Sequence, residues 1–256
     1  RDEGLDVVGL DSGLFAGCDF GSQPSGIPGL HRDLRDVTAA DLEGFDAVIH
    51  LAAISNDPLG NLNPDCTYSI NHRASVHLAK CAKEAGVARF LYSSSCSVYG
   101  AASPDDVLDE NAAFSPVTPY AESKVMVEAD LTLLASDDFC PVYLRNATVY
   151  GVSPRLRGDL VVNNLVGWAL TTGNVLLKSD GSPWRPLVHV EDVCRAFLAA
   201  LHAPRDVVHN QAFNVGRTGE TFRIIEVANM VAEQIEGSRV EIAEGAGPDP
   251  RCYRVN

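Results

Sequence analysis

Several patterns that would define a protein class are missing from this sequence of 256 residues. The seven cysteines contain no CxxC pair and are odd in number, so we expect neither a metal site nor a disulfide framework. No apolar run reaches the length that crosses a membrane. Acidic residues outnumber basic ones by 34 to 20, which argues against a nucleic-acid surface because such surfaces need clustered Lys and Arg. The composition favours a globular protein of a reducing, cytoplasmic compartment that acts on small molecules.

Short apolar runs alternate with helical patterns in the first 150 residues. Four runs have the length and the flanks of buried parallel strands, at residues 5–10, 47–52, 89–93 and 142–147. Between them, apolar spacing predicts helices over residues 64–85 and 119–135. Thr118 and Pro119 suit the N-cap and the first helical position of the second helix. Strand and helix in alternation predict an α/β fold with a parallel sheet.

After Gly151 the elements become shorter and more varied. Apolar spacing predicts three further helices, at residues 159–172, 191–202 and 222–236. Short apolar runs predict three further strands, at residues 175–178, 187–190 and 212–215. Residues 55–61 read either as a plain loop or as a segment that shapes a ligand pocket.

Asp11 ends the first apolar run, where a doubly wound sheet carries the acid that binds the adenosine ribose. Asp33, followed by Leu34, could meet the adenine amino group, although an Asp after a strand is more often a turn residue. A glycine-rich turn should precede Asp11 by about 20 residues, and it is absent. We therefore expect that residues 1–4 end a helix and that the first strand and this turn lie upstream of Arg1.

Tyr120 and Lys124 lie one helical turn apart on the same face of the second predicted helix. An ammonium group beside a phenol favours phenolate, the base needed to take a proton from an alcohol while hydride leaves its carbon. The run LYSSSCSVYG places Ser95 after a predicted strand, where its hydroxyl could align the reacting alcohol with Tyr120. Each feature alone is common on ordinary helices and loops.

Together these residues resemble the NAD-dependent nucleotide-sugar epimerase/dehydratase family of the extended short-chain dehydrogenase/reductase superfamily. The resemblance implies a Rossmann-like doubly wound parallel sheet, NAD as cofactor, and Ser95, Tyr120 and Lys124 as the catalytic triad. It also implies a cofactor-binding set consisting of Asp11, Asp33, Leu34, Leu51, Ala52, Ala53 and Asn71, together with Tyr120 and Lys124. Residues 1–150 would then form the NAD-binding domain, to which the chain returns at about 188–216, and residues 151–256 mainly a substrate-binding region.

The resemblance also implies a nucleotide-sugar substrate and a homodimer through the helix at 119–135. Arg185 and Arg251 resemble the pair that clamps the phosphates and the base, since the guanidinium fork suits phosphate oxygens. The substrate-binding set is completed by Ser95, Cys96, Thr148, Asn163 and Asn164. For Arg155 and Arg157, a role at the site and a solvated surface role are equally supported. His189 is expected to be structural.

The two residues after Ser95 bear on the reaction. In 4,6-dehydratases of this family they are typically Asp and Glu, but here they are Cys96 and Ser97, which favours a 4-epimerase over dehydration. The Cys96 thiol could act as an acid or base in a 3,5-epimerisation, or it could be a small buried residue. The alternatives are a net dehydrogenase or reductase, a dehydratase, and a non-catalytic dinucleotide-sensing module.

Overall fold

A computed structural model describes residues 4–20, 27–103, 106–247, 249 and 251–256. The strands are β1 (Gly9–Asp11), β2 (Gly29–His31), β3 (Ala47–His50), β4 (Arg89–Ser95), β5 (Cys140–Asn146), β6 (Thr148–Tyr150), β7 (Asn174–Leu177), β8 (Trp184–His189), β9 (Gln211–Val215), β10 (Thr221–Arg223) and β11 (Arg239–Ile242). The α-helices are α1 (Asp57–Leu62), α2 (Pro64–Thr67), α3 (Ala74–Glu84), α4 (Pro119–Leu134), α5 (Val161–Thr172), α6 (Val190–His202), α7 (Arg205–Val208) and α8 (Ile224–Gln234).

The main sheet is parallel throughout, with strand order β3-β4-β5-β9. Every residue of β5 is buried, as expected for a central strand covered on both faces. Helices α3 and α4 pack on one face through Leu78, Val127 and Leu131. Helix α6 packs on the other face through Phe197 and Ala200. The prediction of a doubly wound α/β fold is confirmed.

The first predicted strand is shorter than its apolar run. Strands β1 and β2 form a separate parallel pair, in which Gly9 lies opposite Gly29 and Asp11 opposite His31. The strand extends only over Gly9–Asp11. Val7 and Val8 lie before the paired residues and are 40% and 41% exposed. Residues 1–3 of the predicted helix end lie outside the described residues.

The helix predicted over residues 64–85 is present, but its middle is a π-helix at Tyr68–Arg73 between α2 and α3. A π turn inserts a residue and is frequent at functional sites. Here it contains Asn71, whose buried side chain bonds both backbone groups of Ile54. Apolar spacing cannot reveal this turn, because it changes the hydrogen-bond pattern and not the burial of neighbouring apolar residues.

Helix α4 follows the prediction closely. Thr118 caps it by accepting a hydrogen bond from Ala121 N at 3.2 Å, and Pro119 is its first residue. The buried face carries Lys124 and Glu128 among apolar and small side chains. Two charges on a buried helix face need partners nearby, because unpaired burial of a charge is costly.

Glu128 finds its partner on the sheet. Arg145 on β5 donates to it through Nη2 at 2.7 Å and Nε at 3.1 Å, and Ser94 on β4 donates through Oγ at 2.5 Å. The Glu128 and Arg145 side chains are 7% and 5% exposed. This buried pair fixes the register of α4 against the carboxyl ends of β4 and β5.

The rest of the chain forms a second layer of structure beside the main sheet. Strand β8 pairs with β6 in parallel and with β10 in antiparallel fashion, and β11 pairs with β7. Helices α5 and α8 pack on these strands in a cluster of their own. Strand β9 returns to the main sheet beside β5, whereas β8 does not.

Some element boundaries differ from the predicted ones. The helix expected from residue 222 begins at Ile224, because Thr221–Arg223 pairs with β8 and Glu226 caps the helix start through Arg223 N. Residues 55–61, read as a loop or a pocket segment, contain most of α1. No helix in the described part of the chain is long and apolar enough to span a membrane.

The buried ion pair predicts a large stability effect. Glu128→Ala leaves the Arg145 charge buried without its partner, so the free energy of unfolding should fall by about 3–5 kcal/mol in urea denaturation. Glu84→Ala, exposed at the end of α3, should change it by less than about 0.5 kcal/mol.

A double variant, Glu128→Met with Arg145→Met, should be more stable than Glu128→Ala because no charge is then left unpaired. Equal losses for Glu128→Ala and Glu84→Ala would contradict this account of the pair.

Candidate active site

The predicted catalytic residues lie together at the carboxyl ends of β4 and β5. Ser95 ends β4, while Tyr120 and Lys124 lie in the first turns of α4, which begins beside that strand end. All three line one cavity of about 920 Å³. The remaining residues of this cavity that bear on the argument are Leu51, Ser55, Asp57, Ser97, Thr148, Arg155, Arg157, Asp159, Asn163, Asn164, Arg185, Asp249, Arg251 and Tyr253.

Ser95 has extended backbone angles and points its hydroxyl at the start of α4. Its Oγ accepts a hydrogen bond from Ser97 N at 3.1 Å, which fixes the rotamer at the start of the following turn. Ser95 also lowers the pKa of Tyr120. Both side chains line the same cavity, and the alignment of a reacting alcohol by Ser95 stays a prediction.

Lys124 is buried behind Tyr120. Its Nζ donates to the carbonyl of Ser93 at 2.7 Å and lies 4.7 Å from the ring centroid of Tyr92 and 5.6 Å from that of Tyr120. Burial lowers the pKa of Lys124 to about 7, and the nearby Glu128 carboxylate partly opposes this. At neutral pH the amine can therefore both hold and release a proton.

The Tyr120 phenol has a raised pKa in this cavity. Burial raises its pKa, the Asp57 charge adds to this, and Ser95 and the Arg157 charge oppose it. Desolvation is the largest cause of the raised pKa. The resting side chain is a phenol, and a further positive charge in the cavity is needed to favour phenolate.

Cys96 does not fit its predicted place among the substrate contacts. Its side chain is 0% exposed and its Sγ donates to the carbonyl of Arg145 at 3.1 Å. Burial raises the pKa of the thiol far above its ordinary value. Cys96 is absent from the lining of the cavity, so its side chain is a buried structural group.

Ser97 lines the same cavity and was missed as a binding residue. Its Oγ is buried and has no hydrogen-bond partner among the described residues. The sequence carried no signal for this orientation, because side chains of the 3-10 turn Cys96–Tyr99 follow one another at about 120° around the axis.

A second cavity of about 1100 Å³ lies at the carboxyl ends of β1 and β3. Asp11 lines it, with Oδ1 accepting from Gly13 N at 2.6 Å, and Leu51, Ala52 and Ala53 form another wall. The two cavities adjoin, because five residues line both: Leu51, Ser55, Arg155, Arg157 and Asp159.

Three predicted cofactor contacts, Asp33, Leu34 and Asn71, do not line this cavity. Asp33 accepts from Arg35 Nε at 2.9 Å and Nη2 at 2.7 Å, and this pairing lowers its pKa to about 2. Leu34 is buried in the core beneath α3. Neither lines the cavity. Asn71 instead supports Ile54, which lines the cavity. Its Nδ2 donates to Ile54 O at 2.9 Å, and its Oδ1 accepts from Ile54 N at 2.7 Å.

The segment from Gly151 to Leu160 crosses both cavities. Arg155 Nη1 donates to the carbonyl of Cys18 at 2.8 Å, and Arg157 donates to Ser55 O at 2.9 Å and to Asp159 at 2.6 Å. Both arginines therefore belong to the site.

Asn163 and Asn164 support this segment from α5. Their Nδ2 atoms donate to Arg157 O at 3.0 Å and Gly158 O at 2.8 Å. Both residues and Thr148 line the cavity, and their contact with a substrate stays a prediction. In this arrangement the two amides hold the crossing segment in place.

The two predicted phosphate-binding arginines also come together. Arg251 forms a fork with Asp249, with Nε to Oδ1 at 2.9 Å and Nη2 to Oδ2 at 2.6 Å, and Arg185 Nη2 lies 3.2 Å from the same carboxylate. Asp57 joins this cluster from α1. Sequence reasoning missed Asp57 and Asp249, because acids near predicted anion-binding arginines carry no spacing signal. No group of acidic, His or Cys side chains in the described residues could hold a metal.

The buried amine predicts a pH effect on stability. In the unfolded chain the lysine keeps its proton up to about pH 10.5, whereas folded Lys124 releases it near pH 7. The unfolded state then binds more protons, so the unfolding free energy rises with pH above 7, by up to about 1.4 kcal/mol per pH unit. Lys124→Met should lack this rise when urea unfolding is followed from pH 7 to 9, and Lys83→Met, exposed on α3, should retain it. Parallel curves for all three proteins would show that Lys124 stays charged.

The chain resembles characterised proteins over most of its length. The family model described as "NAD dependent epimerase/dehydratase family" matches residues 1–216. A UDP-glucose 4-epimerase from Mycolicibacterium smegmatis is 32% identical over 73% of this chain and 61% of its own length. A dTDP-D-glucose 4,6-dehydratase from Mus musculus is 27% identical over 78% of this chain and 55% of its own length. The chain thus spans less than two thirds of these relatives.

The chain is also similar to a solved structure with bound ligands. MoeE5 in complex with UDP-glucose and NAD is 30% identical, with a TM-score of 0.81 over 100% of this chain and 81% of that one. The family model covers well over half of the residues. The chain belongs to the NAD dependent epimerase/dehydratase family.

Proposed function

We propose that this chain acts as an NAD-dependent nucleotide-sugar 4-epimerase. The observation that carries the proposal is the convergence of Ser95, Tyr120 and Lys124 in one cavity that adjoins a second cavity ending at Asp11. A sugar at the first and a dinucleotide in the second would meet at Tyr120. Family membership supports an NAD-dependent sugar epimerase or dehydratase, and the features below favour the epimerase.

The residues that line the second cavity suit the ribose and the ring system of a dinucleotide. Asp11 offers a carboxylate at a strand end, the usual partner of a ribose diol. The wall from Leu51 to Ala53 has small or apolar side chains that leave room for a flat ring system, and Asn71 holds its continuation rigid. When bound, NAD would supply the acceptor that takes a hydride from the sugar and returns it.

The protein residues supply the proton transfers and the alignment. Tyr120 takes the proton of the sugar C4 hydroxyl, and Ser95, which lines the same cavity, holds that hydroxyl in line. Lys124, with its pKa near 7, stabilises the developing phenolate and exchanges a proton with it. A cationic nicotinamide beside Tyr120 would be the positive charge that the resting cavity lacks.

The remaining cavity residues suit a nucleoside diphosphate attached to the sugar. Arg185 and Arg251 provide guanidinium groups in the cavity, and Thr148, Asn163 and Asn164 also line it. We assign residues 1–150 with β9 to the cofactor and residues 151–256 mainly to the substrate. A homodimer through α4 stays a prediction; Met126 and Leu133 are exposed on that helix.

The groups after Ser95 favour epimerisation over dehydration. Removal of water needs an acid and a base beside the sugar, and neither Cys96 nor Ser97 is a carboxylic acid. Cys96 is also buried away from the cavity, which disfavours a thiol-based 3,5-epimerisation. Return of the hydride to the other face of a rotated 4-keto sugar then completes the reaction.

The catalytic assignment predicts a graded loss of activity. With NAD⁺ and a panel of nucleotide sugars, Tyr120→Phe should lower kcat by at least about 10³-fold and Ser95→Ala by about 10²-fold, since each removes part of the proton transfer. Tyr68→Phe is the matched control, because its hydroxyl pairs with Glu122 outside the cavity, and it should retain activity. Full activity in Tyr120→Phe would refute the assignment.

The reaction type is read from the products. A 4-epimerase gives a product of unchanged mass with no net NADH, a dehydratase gives a product lighter by one water, and a dehydrogenase releases NADH in proportion to substrate. We expect the first pattern, and we expect Cys96→Ala to keep it within about threefold in rate, because the thiol faces the core. A nucleotide sugar panel without any turnover by the NAD-loaded protein would exclude the substrate class and favour a sensing module.

A further inference from the structure

Asp57 lies where the catalytic helix and the anion-binding arginines meet. It is the first residue of α1, lines the active-site cavity and has a side chain that is 17% exposed. Its two carboxylate oxygens accept hydrogen bonds from different residues. Oδ1 accepts from Thr118 Oγ1 at 2.7 Å, and Oδ2 accepts from Arg251 Nη1 at 2.5 Å.

The contact with Thr118 leads directly to the catalytic helix. Thr118 Oγ1 also accepts from Ala121 N and so caps α4, two residues before Tyr120. The negative charge of Asp57 also raises the pKa of Tyr120. A change at Asp57 therefore reaches the start of α4 without passing through the substrate.

The contact with Arg251 occupies an edge that a phosphate would need. The Nε and Nη2 edge of Arg251 is taken by the fork with Asp249, a neighbour in sequence. Nη1 faces Asp57, which is 194 residues away along the chain. A single hydrogen bond is easier to replace than a fork, so the Asp57 side is the edge that an incoming anion can take.

The charges of the cluster balance before any anion arrives. Arg185 and Arg251 contribute two positive charges, and Asp57 and Asp249 contribute two negative ones. A nucleoside diphosphate thus meets a cluster with no net charge, in which both guanidinium groups already contact carboxylates. The Asp57 carboxylate would repel a phosphate that binds Arg251. The protein around the cavity screens this repulsion less than bulk water does.

We propose that Asp57 is a displaceable counter-ion of Arg251, which holds the arginine until a nucleoside diphosphate takes its place. Displacement leaves Asp57 bonded to Thr118 at the start of α4 and next to the sugar. Asp57 thus sets the affinity of the anion site and links its occupancy to the helix that carries Tyr120. This inference rests on the proposed function, because it takes the diphosphate of a nucleotide sugar as the ligand of Arg251.

Binding of UDP and of dTDP, measured by calorimetry without a sugar, tests the proposal. Asp57→Asn removes the charge and keeps one acceptor oxygen, enough for Thr118 or Arg251 but not for both, and it should bind the better of the two nucleotides about tenfold more tightly than the native chain. Asp138→Asn removes an exposed charge at the far end of α4, beside the start of β5, and should leave affinity unchanged.

A double-mutant cycle separates competition at Arg251 from a general charge effect. In an Arg251→Gln background, Asp57→Asn should bring no gain, because the edge under competition is gone. Asp57→Ser serves as a second variant if Asp57→Asn proves unstable in thermal unfolding, and the same tightening is expected.

Unchanged or weaker nucleotide binding in both Asp57 variants, with the native chain binding normally, would overturn the inference and leave the proposed function standing. Binding of neither nucleotide by the native chain or any variant would overturn the substrate class, and the inference with it.

Discussion

The site depends on how helix α4 satisfies two charges that it presents to the interior of the sheet. Lys124 donates to the carbonyl of Ser93, and Glu128 accepts from Arg145 and Ser94. Both contacts bind α4 to the carboxyl ends of β4 and β5, where Ser95 follows. A shift of the helix by one turn would leave two buried charges without partners, so Tyr120 has one allowed place.

The second constraint is the segment from Gly151 to Leu160, which forms the boundary between two cavities. Its arginines bond the loop after β1 and the segment after β3. Asn163 and Asn164 hold its backbone from α5. A ligand in either cavity therefore contacts the same strip of chain. Asp57 adds a second connection, between the arginines of the substrate half and the cap of α4.

The sequence predicted the parallel sheet, the α4 helix and the grouping of Ser95, Tyr120 and Lys124, because all of these depend on local spacing and strand order. It could not predict the π turn around Asn71, the burial of Cys96 or the partners of Arg251. Whether a side chain faces the cavity depends on the turn after β4, and Asp57 meets Arg251 only through tertiary folding. The raised pKa of Tyr120 could not be predicted either. Its main cause is burial, which depends on tertiary packing and not on neighbours in sequence.

The proposed function requires that Tyr120 takes the proton of the C4 hydroxyl while the hydrogen on C4 would leave as hydride to bound NAD and return to the same carbon. A nucleotide sugar that carries deuterium at C4 tests this most directly when the product is examined by NMR. The account predicts that the label stays at C4 of the epimerised product and that turnover shows a primary isotope effect. Label found at another carbon or lost to solvent would contradict it.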